Sequence, residues 1–155
     1  MSAHHVAQLN IARPLGPIDG PQLADFMALL PSINALAEHS PGFVWRMTAD
    51  DAHDATSLRP YGPDVMVNLT VWESVEALRE FTYRSAHLDS MRRRREWFAP
   101  HDSPHLVLWW VPAGHRPTFD EARDRLDLLA ARGPGPEAFT LREAFPPPDT
   151  VSAAA

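Results

Sequence analysis

The stretch Val65-Met-Val-Asn-Leu-Thr-Val-Trp72 decides the fold. It alternates without a break, with Val65, Val67, Leu69 and Val71 on one face and Met66, Asn68, Thr70 and Trp72 on the other, as the two-residue period of a strand requires. One face is wholly aliphatic and suits packing between layers. The other sets an amide, a hydroxyl and an indole in a row, which suits a cleft whose few polar groups orient a ligand.

Working outward, His5–Ile11 reads as a first strand with the apolar series Val6, Leu9 and Ile11, and Pro14, Gly16 and Pro17 break it. Pro21–Glu38 carries Leu23, Phe26, Met27, Leu30, Ile33 and Leu36 at helical spacing, with a kink expected at Pro31. Ser40-Pro41-Gly42 ends that helix, and Phe43–Met47 is a short aromatic strand followed by a polar loop over 48–64. Beyond Trp72, Ser74 caps a helix with Leu78, Phe81 and Leu88 inward, and the pattern runs on through Met91 to Phe98 as one long helix or two meeting near Ser85. His105–Val111 is apolar throughout, as in a strand covered on both faces. Thr118 starts an acid-first helix with Phe119, Ala122, Leu126 and Leu129 inward, which Gly133 ends. Phe139–Phe145 is expected to be a last short strand.

The order βαββαβ followed by αβ is the ferredoxin-like split βαβ arrangement with an extension, an α+β fold. Residues 1–145 form a single domain and 146–155 a Pro- and Ala-rich tail. Strands apolar on both sides need a second cover, and the sheet of a second copy would supply it, so a homodimer built as a dimeric α+β barrel is expected.

Composition removes whole classes of chemistry. The chain has no cysteine, which excludes disulfides, thiolate metal sites and Cys nucleophiles. It has no lysine either: all 14 basic residues are arginine, so a Schiff base and a phosphate-binding lysine are impossible. A net charge of -6 with acids interspersed among the arginines is poor equipment for nucleic acid. No apolar run approaches the roughly 18 residues that span a bilayer, and a cytoplasmic location without membrane contact is expected. Pro104 and the change from helix to strand prevent His101 and His105 from clamping a metal, and no metal or cofactor is expected.

The candidate site follows from the mixed face. Asn68 and Trp72 stand four residues apart, about 13 Å along the strand, and together can hold a phenolate or carbonyl oxygen while the indole packs on a flat substrate. Met66 and Thr70 lie between and beside them. The helix after Thr82 offers His87 as a general base, Met91 as an apolar wall, and either Arg94 or Arg95 on the inward side. A cation there needs a partner, which is a substrate anion or one of Glu73, Asp89 and Glu96. Trp45, Tyr83, Trp109 and Trp110 are expected as further walls.

The segment Asn68-Leu-Thr-Val-Trp72-Glu-Ser74-Val-Glu76-Ala-Leu78 resembles the strand-to-helix segment of antibiotic biosynthesis monooxygenases. That resemblance implies a dimeric α+β barrel that oxidises a flat, polyketide-type aromatic without a cofactor. Over nearly its whole length the chain is also similar to a dimeric-barrel family of unknown function. Ser40-Pro-Gly-Phe-Val-Trp45-Arg46, Val71-Trp-Glu-Ser-Val-Glu-Ala-Leu78 and Met91-Arg-Arg-Arg-Arg-Glu-Trp-Phe98 carry that similarity, which implies a fold and no activity. Two alternatives stand beside the monooxygenase: a non-catalytic small-molecule binding or accessory protein, and a haem-binding dimeric-barrel protein using Asn10 or Asn68, Trp72 and His87.

Overall fold

A computed structural model describes residues 3–49, 54–83, 93–100 and 103–148. Strands β1 (His4–Ala12), β2 (Phe43–Arg46), β3 (Met66–Trp72) and β4 (Leu106–Pro112) form one antiparallel sheet in the order β2-β3-β1-β4. Helices α1 (Ala24–Glu38), α2 (Val75–Thr82), α3 (Arg94–Trp97) and α4 (Phe119–Arg132) complete the described elements, with a 3-10 turn at Pro21–Leu23 before α1. This is the α+β, ferredoxin-like arrangement expected from the element order.

Local chemistry sets the helix ends. The Ser74 hydroxyl accepts from the Ala77 N–H and the Thr118 hydroxyl from the Glu121 N–H, so each helix begins on a side-chain cap. Gly133, at φ 74°, closes α4 in a backbone conformation that other residues rarely adopt. Helix α1 runs through Pro31. Helix α2 stops at Thr82, and residues 84–92, with Ser85, His87, Leu88 and Met91, lie outside the described residues.

The register of β1 and β3 sorts the core into two layers. Residues directly opposite in an antiparallel pair share a face, and Ala7↔Val71, Leu9↔Leu69 and Ile11↔Val67 therefore build one aliphatic surface. Ala122, Leu126 and Leu129 of α4 pack on it, joined by Leu58 and Tyr61 of the loop before β3. The opposite face carries Val6, Trp72 and Leu108 under Ala37 of α1 and Leu78 and Phe81 of α2.

Two expectations are corrected here. The aliphatic face does not await a partner's sheet, because the chain's own helix α4 and its 54–64 loop cover it, and the Tyr61 hydroxyl fixes that loop by donating to the Phe119 carbonyl at 2.6 Å. An amphipathic helix shows in sequence which of its sides is inward, but not which sheet face receives it. Residues 139–145 are not a strand: Phe139 alone bridges Leu108, and the chain then leaves the sheet through bends. The backbone of Phe139 exchanges both hydrogen bonds with Leu108, at 2.8 and 2.9 Å.

The turn between α1 and β2 is tight enough to test. Gly42 has φ +84°, and a Cβ placed there would stand 2.5 Å from the Ala77 Cβ on α2. Its carbonyl accepts from the Glu73 N–H at 2.7 Å, so the turn cannot simply back away. Gly42→Ala is expected to cost about 3 kcal/mol, from the left-handed backbone and overpacking together, read as a shift in the urea midpoint at unchanged slope. A midpoint equal to the wild type would show that the α1–β2 turn is free to move.

Candidate functional site

A cavity of about 320 Å³ lies between the mixed face of the sheet and helices α1, α2 and α3. This volume is at the small end of the roughly 300–1,000 Å³ usual for small-molecule sites. Its floor is the polar row that the β1–β3 register creates, Gln8↔Thr70 and Asn10↔Asn68, with Ala12↔Met66 at one end. Phe26, Leu30 and Ile33 of α1, with Trp97 and Phe98, supply apolar walls.

Met66, Asn68, Thr70 and Trp72 all line the cavity, and so does Arg94. Trp72 is fully buried, stacked on Phe81 at 5.1 Å and edge-on to Phe43 at 5.4 Å. Its indole N–H donates to the Thr70 hydroxyl at 3.0 Å, and that hydroxyl donates to the Gln8 side-chain carbonyl at 2.7 Å. The Trp72 donor is therefore already taken, and toward the cavity this residue offers a ring. Asn68 differs: it is the exposed residue of its strand, and its amide makes no hydrogen bond among the described residues. An amide held on a rigid strand and left open to the cavity can meet a ligand oxygen at little reorganisation cost.

Of the two inward candidates in the arginine run, Arg94 faces the cavity and Arg95 is exposed. Burial holds the Arg94 guanidinium below its usual pKa. It remains a cation near neutrality, since arginine does not deprotonate in proteins. It stands 5.7 Å over the Phe98 ring, and its Nη2 is buried without a hydrogen-bond partner among the described residues. Glu96, the acid nearest in sequence, is engaged by Arg93 at 3.0 Å, and Arg93 also holds Asp25 at 2.8 Å.

The other sequence candidates that the structure describes lie elsewhere. A register shift between Phe43 and Trp45 pairs Trp45 with Val71 and Arg46 with Thr70. This β-bulge reverses the alternation, sending Trp45 to the aliphatic face and Arg46 into the cavity wall, where it pairs with Glu38 at 3.0 Å. Trp109 opposes Ala7 and is also on the aliphatic side, donating to Glu121 at 2.8 Å. Trp110 is on the cavity's side of the sheet but away from the cavity, donating to the Phe145 carbonyl at 2.9 Å. Tyr83 is 57% exposed at the end of α2. His87 and Met91 lie outside the described residues. Among the described cavity residues the one histidine is His105, just before β4 and not on a helix.

Sequence reasoning missed Gln8 and Arg46 and named Asn10 only as an alternative haem contact. Gln8 and Asn10 were recoverable, because they alternate with Ala7, Leu9 and Ile11 and so had to share one face. Arg46 was not, since the bulge that turns it inward has no Gly or Pro to announce it.

The chain matches the model of a protein family described as a domain of unknown function, DUF3291, over residues 5–155. No curated protein matches it in sequence. Among solved structures it is similar to SnoaB, a cofactor-independent oxygenase from Streptomyces nogalater, at 18% identity, covering 74% of this chain and 97% of that one with a TM-score of 0.48. It is also similar to a conserved protein from Methanosarcina mazei at 10% identity, covering 71% of this chain and 93% of that one with a TM-score of 0.50. Likeness at this identity is one of fold. No helix among the described residues is long and apolar enough to cross a membrane.

Proposed function

This chain belongs to the DUF3291 family, and from that premise we propose that its cavity binds a flat aromatic metabolite and promotes its oxidation by dioxygen without a cofactor. The observation that carries the reading is the unengaged Asn68 amide, set on a rigid strand in a cavity walled by Trp72, Phe26 and Trp97. The segment from Asn68 to Leu78, which resembles that of antibiotic biosynthesis monooxygenases, points the same way.

The chemistry balances with dioxygen as the only oxidant. A phenol gives up its hydroxyl proton, the electron-rich phenolate reacts with dioxygen, and a ring C–H becomes a second carbonyl. One oxygen atom enters the quinone, and the other leaves as water with the two hydrogens. In this proposal Asn68 donates to the phenolate oxygen, Trp72 forms a wall against the ring, and His87 accepts the phenolic proton. The commitment of the Trp72 N–H to Thr70 favours a second reading, in which the protein binds the same class of molecule without turning it over.

Asn68→Ala separates the two. With hydroxylated naphthalenes and anthrones as trial substrates, oxygen uptake by the wild type is expected to fall about 10²-fold in the variant while the melting temperature is unchanged. Binding without oxygen uptake in the wild type leaves the binding reading. A fall in melting temperature with affinity unchanged makes Asn68 structural.

We further propose a homodimer, as the family resemblance implies. Sedimentation at micromolar concentration is expected to give twice the chain mass, and a strictly monomeric species removes the proposal.

A further inference from the structure

Two residues that line the cavity each hold a buried polar atom without a hydrogen-bond partner among the described residues: Arg94 Nη2, a donor, and Asn10 Oδ1, an acceptor. Buried polar groups are almost always satisfied, so two such atoms of opposite character on residues lining one cavity call for a ligand that satisfies both.

The fold gathers them at the same end. Phe98, under the Arg94 guanidinium, packs in one cluster with Ala12 and Met66. Asn10 precedes Ala12 on the same face of β1, about 7 Å back along the strand, and it opposes Asn68 on β3. Glu96, one of the acids expected to neutralise this arginine, is bound to Arg93 together with Asp25, and another, Asp89, lies outside the described residues.

We propose that this end of the cavity is a subsite for an aromatic acid bearing a hydroxyl beside its carboxylate. The carboxylate accepts from Arg94, the hydroxyl donates to Asn10 Oδ1, and the ring extends toward Trp72 between the sheet and Phe26 and Ile33. A carboxylate alone satisfies only the cation, and a neutral phenol only the amide oxygen. The vicinal hydroxy acid satisfies both. This inference rests on the aromatic-site reading above and narrows its substrate class.

The test is calorimetric titration of the full chain at pH 7 with 3-hydroxy-2-naphthoate, 2-naphthoate and 2-naphthol. The hydroxy acid is expected to bind tightest. Arg94→Gln should weaken both acids about 10- to 100-fold and leave 2-naphthol unchanged. Asn10→Leu should weaken the hydroxy acid and leave 2-naphthoate unchanged. Arg94→Lys keeps the cation, guards against a folding defect in Arg94→Gln, and should retain the preference for acids. If 2-naphthol binds as tightly as the acids, or Arg94→Gln leaves acid affinity intact, the subsite is overturned while the aromatic site stands. If none of the three binds, both fall.

Discussion

Trp72→Ala is expected to lower stability by about 4 kcal/mol, the range for emptying a buried aromatic site, and to bring the melting temperature down by roughly 10 °C. The side chain is fully buried, and its loss removes the stack on Phe81, the edge contact with Phe43 and the donor to Thr70 together. Trp72→Phe separates packing from the hydrogen bond. It keeps most ring contacts and leaves the Thr70 hydroxyl with Gln8 as its partner, at an expected cost of about 1–2 kcal/mol. Urea unfolding of both variants checks this, and equal losses would mean that the ring contributes little beyond its N–H. The pair also matters for function, because any activity lost in Trp72→Ala has to be read against a damaged core.

The second large effect belongs to the opposite layer. Trp109 is fully buried between the sheet and α4, and its indole N–H donates to Glu121, whose other oxygen meets His115 at 2.7 Å. Trp109→Ala is expected to cost about 4 kcal/mol, since the cavity opens under a helix that also loses a polar tie to the sheet. Burial pushes the Glu121 carboxyl up, but the hydrogen bonds from His115 and Trp109 with the charges of His115 and Arg125 outweigh it, so its pKa lies below the ordinary 4.5. A depressed carboxyl pKa means stability that is complete above the unfolded value and lost as pH falls through the folded one. Wild-type stability should therefore fall below pH 4.5, and Trp109→Phe, which keeps the ring and removes the donor, should flatten that part of the curve. An unchanged acid limb would show that the indole contributes nothing to the ionised form.

The particulars of the two faces explain how far the sequence could be read. The alternation in Val65–Trp72 named the cavity's strand because a strand aliphatic on one face and mixed on the other writes two different compositions at odd and even positions. The caps at Ser74 and Thr118 were equally legible, being local hydrogen bonds within four residues. Trp45 was misplaced because a single extra residue at Val44 reverses every later side chain on β2, and nothing in Phe43–Arg46 distinguishes a bulged strand from a regular one. Arg94 and Arg95 were separated only by the fold, since four consecutive arginines offer no contrast to read. The role of α4 escaped for a different reason: its apolar side fits either sheet face equally well, and the outcome depends on where the chain crosses over after β4.

The bulge in β2 and the single bridge at Phe139 sit at the two rims of the sheet. Unpaired strand rims are templates on which a second chain can add by backbone pairing, the first step toward fibrous aggregates. On β4 the template is blocked at its middle, because both backbone groups of Leu108 are already engaged by Phe139. On β2 it is only four residues long and irregular, ending in a cation paired with Glu38. Neither rim can therefore guide an incoming strand over more than a few residues.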